Sequence, residues 1–283
     1  MYMASDLHIH TDASDGMLAP QMIVDMAIQA GLSHIAITDH DTIDGIQAIY
    51  QGDNKDYHGL TVIPGIEFST DMPQREIHIL GYYIDIKNPI LRKQLQVLHV
   101  NRRDRARKMV LKVAALGYDI HYDEVLAVAG EKSTIGRPHI ARVLVEKNYF
   151  PSISSVFDVL LEQNRPGYVP HYKLSVAQII TLIHQANGIP VLAHPGLIAD
   201  DSVVLDMIHS GVQGLEVYHP SHTKSQTKEY LNLAEKYHLA ITGGSDFHAT
   251  PDRFPEKLGI FTIPDELVLN LQRLSMIGRG GCF

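Results

Sequence analysis

At 283 residues, with 45% hydrophobic and 20% charged side chains, the chain is long enough to bury a sizeable core without covalent staples, as one large domain or a domain with an insertion. Its single cysteine, Cys282, excludes an internal disulfide framework and a cysteine-ligated zinc site, and fits a reducing, cytoplasmic setting. A net charge of −8 disfavours broad nucleic-acid binding of the kind duplex DNA needs; the start MYMASD does not read as a signal peptide, and no apolar run is long enough to cross a bilayer, so no membrane association is expected.

In chain order, 4–10 reads as a short strand. A helix follows over 20–31, with Pro20 in its first turn, Gly31 past its end, and Met22, Ile23, Met26, Ala27 and Ala30 on one face. Then come a strand at 34–38, a helix at 44–50, and strands at 60–66 and 76–84. From about 89 to 163 the pattern is almost wholly helical: a long helix over 90–116 stopped by Gly117, then shorter pieces near 122–128, 138–146 and 153–161. Alternation returns with helix 176–187, strand 189–193, helix 201–210, strand 214–218, helix 223–237 and strand 239–242, and 257–263 is a last candidate strand. Strands spaced by helices imply parallel βαβ units, and about seven of them predict an α/β barrel rather than an open sheet. The barrel is expected in two parts, 1–88 and 167–275, around a small all-helical domain at 89–166; 276–283 reads as a disordered tail.

The chemistry-bearing residues collect at strand ends. His8 and His10 are two apart, so on a strand both face the same way. With 17 histidines in the chain, chance alone gives roughly one such pair, which is uninformative until partners appear. Asp15 follows after a short turn. The second strand ends in Thr38-Asp39-His40-Asp41, the third in PGIE with Glu67, the fourth carries His78 within EIHILGY, IPVLAHP ends at His194, and AITGGSDFH ends with Asp246 and His248. In a barrel the C-terminal strand ends converge on one face. Taken singly, a strand-end histidine is a hydrogen-bonding residue, and Asp39 or Asp41 is a cap for the next helix. Glu67 is harder to explain that way, because a lone buried carboxylate is costly. Shared placement favours metal ligation for the whole set.

These residues resemble the PHP family, named for polymerase and histidinol phosphatase domains, through DLHIHTDASDG, ITDHD, GIEFS, EIHILGY, LAHP and GGSDFH, which run from Asp6 to His248. The resemblance implies a distorted (β/α)7 barrel with three divalent metal ions. By position, His8, His10, Glu67 and Asp246 would hold the first; Glu67 would bridge to a second that also takes His78 and His194; Asp15, His40 and His248 would hold the third. Some members carry histidine where this chain has Asp15. The N and O donors accept Mn²⁺, Zn²⁺ or Fe²⁺, and the resemblance favours manganese. Three such ions against three carboxylates leave a charge of about +3, suited to a phosphate dianion. The implied chemistry is in-line attack on phosphorus by a metal-bound hydroxide, with no side-chain nucleophile.

The helical insertion, with NRRDRARKMVLKVAALGYDI, STIGRPHIARVL, PGYVPHY and LEVYHPSH, is similar to one branch of that family: bacterial enzymes acting on nucleoside 3′,5′-bisphosphates, including 5′→3′ exoribonucleases on short RNA. A small nucleotide or a short RNA is therefore the expected substrate. Arg137, in a loop entering a helix, either grips a phosphate or is a surface arginine beside a helix start. Arg103 and Arg107 belong to the basic stretch 102–108, which is either a solvated helix face or a contact for a second phosphate or RNA backbone. Lys173, His219 and His222 lie in loops that could line the mouth or serve structure, and Tyr168 or Tyr218 stacks on a base or packs in the core. Competing functions are a phosphatase for another phosphomonoester such as histidinol phosphate, an amidohydrolase-type hydrolase, and a non-catalytic metal-binding module. The oligomeric state is left open.

Overall fold

The computed structural model describes residues 4–280 apart from 51–56, 58, 71–76, 131–133, 171, 173, 199 and 252. Eight strands form its centre: β1 (Ala4–Ile9), β2 (His34–Ile37), β3 (Thr61–Ser69), β4 (His78–Tyr82), β5 (Ile189–Leu192), β6 (Gly214–Tyr218), β7 (Ala240–Gly243) and β8 (Ile263–Pro264). Their order is β7-β6-β5-β4-β3-β2-β1-β8. The strands are short and buried on both faces, as helix-covered sheets require; β2 and β5 are mostly apolar, whereas β1 also buries Ser5, Asp6 and His8. The ring nearly closes past β7, where Phe247 bridges to Ile9 in parallel: His10 N donates to Phe247 O at 2.9 Å and Phe247 N to His8 O at 3.3 Å. Gly244 permits this approach. A Cβ there would stand 2.3 Å from the backbone N of His8.

The barrel departs from the parallel course at two places. β4 runs antiparallel to both β3 and β5, and β8, a two-residue strand at the end of the expected 257–263 segment, pairs antiparallel with β1. Only residues 70–77 connect β3 to β4, too few for the crossover a parallel pair needs.

Helices α1 (Pro20–Gln29), α2 (Asp44–Tyr50), α7 (Val176–Gln185), α8 (Asp201–His209) and α9 (Lys224–Lys236) surround the strands. The outward faces, with Ile35, Ile37, Val62, Ile66 and Leu215, share one core with Ile23, Ile46, Ile179 and Ile183 of these helices. The inward faces form a second core of Leu7, Ala36, Ile63, Leu80, Tyr82 and Val191. Val268 and Leu271 of a final helix, α10 (Asp265–Gly280), join that inner core beside the start of β1. α10 thereby seals the N-terminal end of the barrel. Where a disordered tail was expected from 276, the helix continues to Gly280, and 281–283 lie outside the described residues.

Between β4 and α7 stands the helical block: α3 (Pro89–Ala115), α4 (Tyr122–Ala129), α5 (Arg137–Glu146), α6 (Ile153–Val156) and a π-helical turn, Phe157–Leu161. Asn88 caps α3 by accepting from the N–H groups of Ile90 and Leu91, and Pro89 sits where its missing N–H costs nothing. α3 serves two cores. Leu91, Leu95 and Leu98 pack with the barrel helices, whereas Met109, Val110 and Val113 pack with Val125, Ile140, Leu144 and Leu160 of the block. Among the described residues no helix is long and apolar enough to cross a membrane.

Candidate metal centre

The open end of the barrel gathers all nine side chains expected as ligands. His8 and His10, two apart at the end of β1, turn the same way and are fully buried. Glu67 comes from β3, and His40 from the loop after β2, which pairs with β3 through Asp41 N donating to Glu67 O. His78 is the first residue of β4, opposite Ser69, so only the antiparallel course of β4 brings it to this face. His194 follows β5, and Asp246 and His248 follow β7. Asp41, His194 and Asp246 hold left-handed backbone, at φ 52°, 27° and 52°. Such angles are uncommon outside glycine and concentrate where surrounding structure dictates a side chain's direction.

Glu67 is the hub. Its Oε1 lies 2.8 Å from His78 Nδ1 and 3.0 Å from His194 Nε2; its Oε2 lies 3.3 Å from the Nε2 atoms of both His8 and His10 and 3.0 Å from His40 Nδ1. Asp246 Oδ1 is 3.2 Å from His10 Nε2 and 3.6 Å from His8 Nε2. Asp15 lies 3.2 Å from His248 Nε2 and 3.8 Å from His40 Nε2. Among the described residues three groupings keep all their donor atoms within 4.8 Å of one another: His10, Asp15, His40 and His248; His8, His10 and Asp246; and His40, Glu67 and His78.

Buried polar atoms are normally hydrogen-bonded. Here Nε2 of His8, both ring nitrogens of His10, Nδ1 of His40, Oδ1 of Asp15 and Oε2 of Glu67 are sealed from solvent without such a partner among the described residues. Converging lone pairs of imidazole and carboxylate are what divalent cations satisfy, so the residues fit metal ions of the N/O-preferring class. The charges agree. Burial alone would raise the carboxyls of Glu67, Asp15 and Asp246, yet the imidazoles around them, with Arg253 beside Asp246, hold all three well below the usual carboxylate range. Against the same burial, His10 is pulled up to about 9 by Asp246 and Glu67. Protons and cations therefore compete for this site.

Residues outside the nine orient them. Glu216 of β6 is fully buried; its Oε1 accepts from His8 Nδ1 at 2.9 Å and its Oε2 from the backbone N–H of His194 at 2.7 Å. That bond fixes the tautomer of His8 and turns the Nε2 lone pair into the mouth. Asp6 accepts from the N–H groups of His8 and Ser245, and burial pushes its carboxyl up to about 6. Asp39 accepts from Thr11 N, Thr11 Oγ1 and Ser14 Oγ at 2.6–2.7 Å, and so shapes the loop that carries Asp15. From the helical block, Arg142 donates to the carbonyl of Asp15, Thr134 N donates to Ala13 O at 2.8 Å, and Arg102 pairs with Asp41.

The residues expected at the substrate separate into groups. Arg137, the first residue of α5, lies with its guanidinium 5.3 Å from the centre of the Phe157 ring. It lines a cleft of about 130 Å³ with Arg102, Arg105, Ser14, Asp15, His40 and His78, so this cleft joins the metal-ligand cluster to three arginines. Arg103 is half-buried on α3 and does not line that cleft. Arg107 is exposed, 3.3 Å from Asp104, and stacked over Tyr122 at 4.8 Å. His222 is corrected to a brace. Its Nδ1 donates to Val217 O at 2.9 Å and its Nε2 accepts from Gly196 N at 3.1 Å, which leaves no ring nitrogen for a ligand. Lys173 lies outside the described residues. Tyr168 lies under Arg105, at 5.4 Å, and Tyr218 packs against the barrel cores. Arg142, Arg253 and Glu216 were missed as site residues; Arg142 and Glu216 act on Asp15 and His8 across more than a hundred residues, which no local pattern displays, and Arg253 reaches Asp246 from the loop after β7.

A family model for the PHP domain matches residues 6–253. The chain is 34% identical over 249 residues to the 5′-3′ exoribonuclease Rnm of Salmonella typhimurium, covering 86% of this chain and 84% of that one. It is 32% identical over 251 residues to the 3′,5′-nucleoside bisphosphate phosphatase of Chromobacterium violaceum, covering 86% and 87%. A solved structure from Bifidobacterium adolescentis, described as a metal-dependent phosphoesterase, superposes with a TM-score of 0.85 at 30% identity over 96% of both chains. The matched model, the relatives and the shared barrel lead to one conclusion: the chain belongs to the PHP domain family.

Proposed function

We propose that this chain, a PHP-family hydrolase of phosphoester bonds, removes the 3′-phosphate of nucleoside 3′,5′-bisphosphates to leave nucleoside 5′-monophosphates, and trims short 5′-phosphorylated RNA in the 5′→3′ direction. The observation that carries this is the cleft in which a buried His/Asp/Glu cluster adjoins Arg102, Arg105 and Arg137. A nucleotide bearing two phosphates needs two separate cationic grips, and the cleft offers one of each kind.

In this reading the ions are three, preferably Mn²⁺. His8, His10, Glu67 and Asp246 hold one, Glu67 with His78 and His194 a second, and Asp15, His40 and His248 a third. When bound, such ions polarise phosphoryl oxygens and lower the pKa of coordinated water. Glu67, with imidazoles facing each of its two oxygens, would serve two of the sites. Glu216 and Asp6 hold β1 and His194 in register with it. Arg137, stacked on Phe157, presents its fork to the phosphate that is not cleaved, and Arg105 flanks it. The side chains bind and orient, and none is required to bond to phosphorus. Nucleotides and RNA ends as substrates accord with a cytoplasmic setting.

The test is a product assay with purified, Mn²⁺-loaded protein on 3′-phosphoadenosine 5′-phosphate and a short 5′-phosphorylated RNA, with histidinol phosphate alongside. Inorganic phosphate with adenosine 5′-monophosphate from the first, and stepwise mononucleotides from the second, are the expected products. Turnover of histidinol phosphate alone, or of none of the three, overturns the reading.

A further inference from the structure

One imidazole at the mouth has no place among the nine. His219 follows β6, is 6% exposed, and sits between His194 and His222, with ring centroids 5.4 and 5.3 Å away. Its two nitrogens have opposite surroundings. Nδ1 accepts the backbone N–H of Ser221 at 3.2 Å and lies 2.7 Å from Ser221 Oγ. Among the described residues Nε2 is sealed from solvent without a hydrogen-bond partner, and its nearest carboxylate oxygen there, Asp246 Oδ2, is 3.6 Å away, beyond hydrogen-bond length.

A backbone N–H can only donate, so Nδ1 carries no hydrogen, and a neutral imidazole with a bare Nδ1 carries its hydrogen on Nε2. A nitrogen bearing hydrogen is not a metal ligand. His219 therefore differs in kind from His8, whose bond to Glu216 puts the hydrogen on Nδ1 and leaves Nε2 bare. His222 supports the ring from behind, with both of its own nitrogens committed. Asp246 Oδ2 is already bonded by Arg253. A buried donor without an acceptor costs stability, and it persists where a ligand supplies the acceptor.

Resting on the phosphoesterase reading, we infer that His219 is a catalytic residue whose Nε2–H donates a hydrogen bond to a non-bridging oxygen of the phosphoryl group undergoing hydrolysis, on the Asp246 side of the centre. The bond strengthens as charge builds on that oxygen. No proton leaves the ring. The new P–O bond comes from water, the bond to the nucleoside oxygen breaks, and the hydrogen that oxygen acquires also comes from water.

The test separates donor, ligand and packing roles. In Zn²⁺-loaded, ¹⁵N-labelled protein, long-range proton–nitrogen spectra should show His219 with hydrogen on Nε2 and a bare Nδ1; hydrogen on Nδ1 overturns the inference. In His219→Leu, metal content by elemental analysis should equal that of the wild type, and kcat on 3′-phosphoadenosine 5′-phosphate should fall about 100-fold or more, as for loss of one transition-state donor, with KM little changed. His219→Gln, which retains an N–H at similar reach, should recover most of that loss. A missing ion in His219→Leu identifies a ligand, equal defects in the two variants identify packing, and unchanged kcat means no role; each refutes the proposal. Failure of the wild type to release phosphate, with the Nε2–H tautomer still observed, would instead refute the assigned function.

Discussion

Replacing Glu216 by glutamine removes one charge and almost no volume from the floor of the mouth. The carboxylate satisfies two donors, His8 Nδ1 at 2.9 Å and His194 N at 2.7 Å. An amide has one acceptor oxygen and can serve only one of them. If the oxygen stays with His194, the NH₂ faces His8 and drives its hydrogen to Nε2, the atom that lies 3.3 Å from Glu67 and must be bare to bind a cation. If the oxygen turns to His8, two donors meet at His194. Either arrangement costs about 1–3 kcal/mol, which corresponds to roughly 10–100-fold in affinity for the ion that His8 shares with His10 and Asp246. The assay is metal content after dialysis against graded chelator, beside the Tm of the metal-free protein. Loss of one ion at lower chelator concentration, with the grouping around Asp15 retained, is the expected result. Wild-type retention of every ion would refute the account of how His8 is oriented.

Glu67→Ala should be more severe, because five imidazoles lie within 3.3 Å of that carboxylate; more than one ion should be lost and turnover should fall further than the roughly 100-fold typical of an outer partner, and near-normal turnover with full metal content would end the bridging role. Arg102→Met should destabilise the fold by about 3–5 kcal/mol in urea denaturation, since it strands Asp41, 2% exposed, without its counter-charge; adding Asp41→Asn should restore a large part. His139 is pushed down to about 4 by burial, with Arg142 and Arg102 adding to it, against 6.5 when unfolded. The unfolded chain takes up that proton first, so the stability it contributes is complete above about pH 6.5 and is lost as pH falls toward 4, amounting to about 2 kcal/mol at pH 5. His139→Gln, which retains an acceptor for Gly136 N–H, should lose about that much less between pH 7.5 and pH 5; identical losses would contradict the assignment.

The strand ends were readable because a barrel turns separate local patterns into one face: His8 and His10, Glu67, His194, Asp246 and His248 each announce themselves beside an apolar run. His78 was placed correctly for the wrong reason. It begins its strand, and the shortness of the 70–77 connection was the available sign that β4 must reverse. The last helix was also signalled, by Asp265 and Glu266 in its first turn, yet the glycines at 278, 280 and 281 read as a tail. Glu216 was hidden, because a carboxylate inside LEVY looks like any polar interruption of a strand until β6 is set beside β5. The arginines of α3 illustrate the same limit. Their spacing gives a charge run and the local pair of Arg107 with Asp104, while only the docking of α3 sends Arg102 to Asp41.

Thr134 and Arg142 both reach from the helical block to the turn that presents Asp15. A barrel deprived of those two contacts would keep its strand-to-strand bonds. It would keep eight polar side chains on its own framework and lose the outside grip on the ninth, the one that faces His40 and His248. The inserted helices are thus part of the vessel's wall, and swapping them for those of another barrel would change how firmly the Asp15 corner is held.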